Sequence, residues 1–79
     1  MNNAVTNSAV NLTNSAIFNG EDITLVKDFG GGMKAFANAS GSAVAIFADM
    51  DEGDFFKVSG WTKHPTKSLV EIADSLYNL

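Results

Sequence analysis

The sequence predicts an α+β fold, a small antiparallel four-stranded meander with a C-terminal helix packed on one face. Three observations carry this expectation. Short alternating or wholly apolar runs recur between residues 22 and 61, separated by glycine-rich turns. A single apolar stripe at helical spacing begins at Leu69. Consecutive strands joined by short loops usually pair as antiparallel neighbours. The 79 residues form one domain over 1–79, divided into a polar, uncharged segment at 1–19 and the sheet and helix at 22–79. A chain this short buries only about 60% of the surface its unfolded form exposes, so its core is small.

Residues 1–19 contain a near-duplication, Thr6–Leu12 followed by Thr13–Asn19. The repeat places Val5, Ala9, Leu12 and Ala16 on one helical stripe, although Asn, Thr and Ser disfavour helix interiors. An N-terminal helix is the expectation here, with a loose arm or an added strand as rivals. Asn19-Gly20-Glu21-Asp22 reads as a turn, and Ile23–Phe29 alternates as a strand. Gly30-Gly31-Gly32 reverses the chain into a strand over Met33–Asn38, and Ser40-Gly41-Ser42 turns it again. Ala43–Met50 is apolar on both faces, as befits a central strand covered on each side. A turn at Asp51-Glu52-Gly53-Asp54 leads into a fourth strand over Phe55–Trp61. Pro65 then pre-sets the chain, Thr66 can cap, and Leu69, Ile72, Ala73 and Leu76 form the buried stripe of the helix. If that helix covers one side of the core strand, Phe47, Phe55 and Trp61 on the other side need a second cover, from the N-terminal segment or from a partner chain.

Nine acidic residues against five lysines give a net charge of −4. Asp49, Asp51, Glu52 and Asp54 hold all of the excess, because the five remaining acids balance the five lysines. Arginine, which supplies the bidentate fork for phosphates and guanine edges, is absent, so direct nucleic-acid binding is disfavoured. Cysteine is absent too, which removes disulfides, thiol nucleophiles and thiolate metal sites and suits a reducing, cytoplasmic setting. The first residues lack a secretory signal pattern, and the longest apolar run, Ala43–Ala48, is far below the roughly 20 residues that cross a bilayer. No membrane association is expected.

The acidic turn at Asp49–Asp54 invites a calcium reading, but an EF-hand register begun at Asp49 needs Gly at its sixth position and Glu at its twelfth, where Asp54 and Gly60 stand. A solvated hairpin tip is the plainest reading. A docking surface is the functional one, since clustered charge steers encounter and the turn adjoins Phe55, Phe56 and Trp61, of a residue type enriched at binding hot spots. His64 is the only histidine and has no second imidazole or thiol to complete a transition-metal shell. Asp28-Phe29-Gly30 and the triple glycine lack the surroundings of kinase and phosphate-loop motifs, and no nucleophile elbow occurs. Neither a cofactor nor a metal site is expected, and no residue is nominated for catalysis.

Residues 43–76 run as an apolar strand, an acidic turn, a strand ending in Gly60-Trp61, then Thr62-Lys63-His64-Pro65-Thr66 opening a short helix. This layout resembles that of small phage-encoded accessory proteins, among which anti-CRISPR inhibitors are similar in size, acidity and lack of cysteine. The resemblance implies a protein that occludes a surface of a CRISPR effector in the host-cell cytoplasm, often a surface that binds nucleic acid. The chain departs from heavily acidic DNA mimics in being neutral outside Asp49–Asp54, which favours a local contact. The resulting expectation is a non-catalytic inhibitor that docks a basic patch of a larger protein or ribonucleoprotein complex through Asp49, Asp51, Glu52, Asp54, Phe55 and Trp61. The alternative is a small structural or self-assembling protein, such as a homodimer, joined through an apolar sheet face.

Overall fold

A computed structural model of the chain describes residues 9–11, 14–50 and 53–79, with side-chain surroundings from residue 14 onward. Among the described residues six strands follow one another in an antiparallel meander: β1 (Ala9–Asn11), β2 (Ser15–Phe18), β3 (Glu21–Gly30), β4 (Met33–Ala37), β5 (Val44–Asp49) and β6 (Phe55–Lys57). One helix among the described residues, α1 (Leu69–Tyr77), follows the sheet. The α+β class and the C-terminal helix agree with the sequence reading, while the count of four strands does not.

The difference lies in the N-terminal segment. Where it is described it is strand, not helix, and residues 1–8 and 12–13 lie outside the described part. Asn19 and Gly20 have φ values of 53° and 80°, and Phe18 pairs with Glu21 across them. Positive φ at both central residues matches the right-handed strand twist, and Asn-Gly is the sequence that best tolerates it. A β2–β3 hairpin therefore replaces the helical stripe, and Ala16 and Phe18 turn to the same side by alternation.

That side is the concave face of a curled sheet whose edge strands β1 and β6 approach each other. Ala16, Ile23, Phe36, Ala45, Phe47 and Phe55 are buried there, with Phe18 and Leu25 packed against them. Phe47 is the hub. Phe18 meets it edge-on at 5.1 Å between ring centroids, Phe36 at 5.3 Å, and Phe55 stacks on it at 5.1 Å. Each such pair contributes about 0.5–1.5 kcal/mol beyond burial. The second cover that Phe47 requires is thus supplied by the chain's own β2.

The convex face is covered by α1. Ala35, Val44, Ile46, Ile72 and Ala73 form a second buried cluster, with Leu69 and Leu76 beside it, so the stripe read from the sequence is the face that packs. β5 feeds both clusters by strict alternation, Ala45 and Phe47 inward, Val44 and Ile46 toward the helix. A β-bulge lies between the Leu25–Phe36 and Lys27–Ala35 pairs of β3 and β4. The extra residue turns Val26, Lys27 and Phe29 toward α1. Lys27 then pairs with Asp74 at 2.7 Å, and Phe29 stacks on Tyr77 at 4.0 Å.

Three local devices fix the loops. Asn38 Oδ1 accepts the backbone N–H groups of Ser42 (2.8 Å) and Ala43 (3.1 Å), shaping the β4–β5 turn. Gly31 and Gly32, both at positive φ, close the β3–β4 hairpin. Ser68, not Thr66, caps α1: its hydroxyl accepts the Glu71 N–H at 3.2 Å, and the Glu71 carboxylate accepts the Ser68 N–H at 2.8 Å. This reciprocal box holds the Glu71 carboxyl below the usual glutamate range, first through the backbone N–H of Ser68 and then through its hydroxyl. Thr66 is occupied elsewhere, donating its N–H to His64 Nδ1 at 3.2 Å.

Candidate functional site

The acidic turn joins β5 to β6. Its frame is a hydrogen bond from the Met50 N–H to the Asp54 carbonyl at 2.7 Å. Asp49 ends β5 on the concave face, where its carboxylate forms an ion pair with Lys34 of β4, and both side chains are largely buried. This acid therefore pins two central strands together at the mouth of the curled sheet. Asp54 is exposed. Asp51 and Glu52 lie outside the described residues.

Alternation along β6 separates the two adjacent phenylalanines. Phe55 pairs with Asp49, faces inward and is only 8% exposed, stacked on Phe47 and edge-on to Phe36 at 5.5 Å. Its place is in the core, so in the folded chain it offers a partner almost no surface. Phe56 pairs with Ala48 on the convex face, beyond the reach of α1, and is 53% exposed. Met50, two residues beyond Ala48, has the same parity and is also exposed, and exposed Val58 follows Phe56 along the chain. Phe56 is accordingly the solvent-facing ring beside the acidic turn, while exposed Met50 carries its sulfur over Gly32 of the β3–β4 turn.

Trp61 belongs to the other side. The ladder between β5 and β6 is interrupted where the N–H groups of Val58 and Ser59 both donate to the Ile46 carbonyl, and it resumes at the Val44–Thr62 bridge. This bulge ends β6 at Lys57, short of the strand to Trp61 that the sequence suggests, and it sets Trp61 over the rim of the concave core. Its ring lies edge-on to Phe47 at 5.8 Å and remains 36% exposed, with Lys57 Nζ 6.0 Å from the indole centroid. The structure thus brings Asp49, Asp54, Met50 and Phe56 to one end of the sheet, and places Phe55 and Trp61 in and over the core.

Sequence reasoning missed Phe56 as the exposed ring. The signal was present but two-fold ambiguous: in Phe55-Phe56 one ring faces in and one out, and nothing local says which. Among the described residues no group of three or more histidine or acidic side chains is placed to hold a metal ion. No described helix is long and apolar enough to cross a membrane. Neither a family model, nor a curated protein, nor a solved structure matches the chain.

Proposed function

We propose that the chain is a non-catalytic binding protein, an occluding inhibitor of the anti-CRISPR kind its layout resembles. It docks a basic surface of a larger protein or ribonucleoprotein complex through the Asp49–Asp54 turn and the adjoining convex strip. The observation that carries this reading is the half-exposed ring of Phe56 on β6, the strand that leaves the turn where the surplus negative charge of the sequence is concentrated. A large ring next to a charged rim is the composition of an interface anchor, with the ring contributing desolvation and the carboxylates contributing steering and selectivity. Asp51, Glu52 and Asp54 supply the steering charge, Phe56 replaces Phe55 as the anchor, Asp49 ties the base of the turn to Lys34, and Trp61 lies on the opposite, concave side. In this reading the protein acts in the host cytoplasm, where a cysteine-free chain is at home.

The test uses a partner captured from cells of the source organism, purified and titrated with the wild-type chain, with D51K/E52K and with Phe56→Ser. Both variants should bind at least tenfold more weakly, and the charge reversal should also flatten the salt dependence of affinity. Wild-type affinity and salt slope in both variants would refute the docking surface. Sedimentation at micromolar concentration addresses self-assembly: a monomer favours docking, whereas a dimer dissociated by Phe56→Ser assigns the same strip to a second copy.

A further inference from the structure

A second surface, opposite in sign, lies between the 62–67 segment and α1. Thr62 is fixed by reciprocal backbone hydrogen bonds with Val44 at 2.8 and 2.9 Å, and Ser68 is fixed as the helix cap. The segment between them stands off the helix and leaves a slot of about 140 Å³ whose lining includes Ile72 and Leu76, with Lys63, His64 and Lys67 also around it. Sites that enclose a whole small molecule run to about 300–1,000 Å³, so this slot is too small for that role. It is an open recess rather than a sealed cavity, with room for a group of about benzene size. The recess has room for one side chain and not for a whole small molecule.

Its lining is cationic in a chain that is acidic overall. Lys27 and Lys34 are committed to Asp74 and Asp49, and Lys57 lies beside Trp61. Among the described residues neither Lys63 nor Lys67 has a carboxylate within ion-pair distance. Lys67 Nζ donates to Ser75 Oγ on α1 at 3.0 Å, which holds its charge against the slot. Glu71 is the acid that feels Lys67 and His64, but its carboxylate is engaged by the Ser68 N–H in the cap. His64 Nδ1 accepts from Thr66, so the neutral ring carries its proton on Nε2 as a further donor.

We propose that this slot is an anchor site for an acidic segment of a partner protein carrying one Phe- or Leu-sized side chain. The apolar group enters against Leu76 and Leu79, over a floor to which buried Ile72 contributes only its edge, and the flanking carboxylates meet Lys63 and Lys67. The inference is independent of the acidic turn, which recognises charge of the opposite sign.

The probe is a doubly blocked peptide, Asp-Glu-Phe-Glu-Asp, titrated into isotope-labelled full-length protein and followed by NMR. Saturable shifts are expected at the Ile72 and Leu76 methyls and at the backbone of residues 62–67. Affinity should fall at least tenfold when the central Phe is replaced by Ala, and at least tenfold for the exposed-site variant K63E/K67E. D51K/E52K should bind the peptide with affinity at least equal to wild type, which separates failure of this site from failure of the turn. Absence of saturable shifts at millimolar peptide would overturn the proposal, as would equal affinity for the Ala peptide. If K63E/K67E does not fold, the peptide Lys-Lys-Phe-Lys-Lys on the wild-type chain decides the charge term, and affinity equal to that of the acidic peptide rejects it.

Discussion

Truncating each of the two adjacent phenylalanines of β6 in turn should separate stability from binding. Phe55 is 8% exposed and contacts Phe36 and Phe47, whereas Phe56 is 53% exposed and touches neither ring cluster. Removing a buried phenylalanine side chain costs about 3–5 kcal/mol, and the edge position of β6, where water can reach the void, places Phe55→Ala near about 3–4 kcal/mol. A chain of 79 residues has about 4–12 kcal/mol in total at the usual 0.05–0.15 kcal/mol per residue, so this one change removes a large share of it. The corresponding fall in thermal midpoint is roughly 12–30 °C. Phe56→Ala gives up only the covered half of its ring, about 0.7–1.5 kcal/mol on the scale of a fully buried phenylalanine. Urea unfolding followed by fluorescence reports both, because Trp61 is the only tryptophan and packs on Phe47 at 5.8 Å. Equal costs for the two variants, or a larger cost for Phe56→Ala, would mean that β6 is paired one residue out of the register described, with the anchor and the core residue exchanged.

The other expectations concern turns and the helix cap. A Cβ on Gly32, at φ +86°, would lie 3.0 Å from the Met50 sulfur and 3.1 Å from the Asp49 carbonyl oxygen, whereas one on Gly31, at φ +64°, would meet nothing within 4 Å. Gly31→Ala should therefore cost only the left-handed backbone penalty of about 1–2 kcal/mol, and Gly32→Ala measurably more in the same urea titration. Ser68→Ala should lose about 1 kcal/mol as the cap is removed, while Thr66→Ala stays within about 0.5 kcal/mol of wild type. The lowered Glu71 pKa makes the cap's ionic contribution complete above the ordinary glutamate value of about 4.3 and lost as pH falls through the lower folded value. Glu71→Gln, which keeps the capping geometry, should reduce the acid-side slope of thermal midpoint against pH, and an unchanged slope would remove Glu71 from that role.

What the sequence by itself determined were the elements whose identity follows from local geometry. The spacing of Leu69, Ile72, Ala73 and Leu76 admits one buried helical face, and that face packs on Val44 and Ile46. The apolar run Val44–Ala48 of β5 requires cover on both sides, and the Gly30–Gly32 reversal requires a backbone that tolerates positive φ. At the N-terminus two periods competed for the same residues. Val5, Ala9, Leu12 and Ala16 suit a helix, while Ala16 and Phe18 ahead of Asn19-Gly20 suit a hairpin strand. The choice fell to Phe47, a residue far along the chain, whose concave side Ala16 and Phe18 fill.

Only the tertiary structure decided which side of β6 faces solvent, which acid of the turn is committed to Lys34, and that Lys63 and Lys67 flank an apolar slot. Secondary structure is written in periodicities that a few neighbouring residues already express. Face, partner and exposure depend on register between strands distant in sequence, where one inserted residue, as at the bulges of β3 and of Val58-Ser59, reassigns every side chain beyond it.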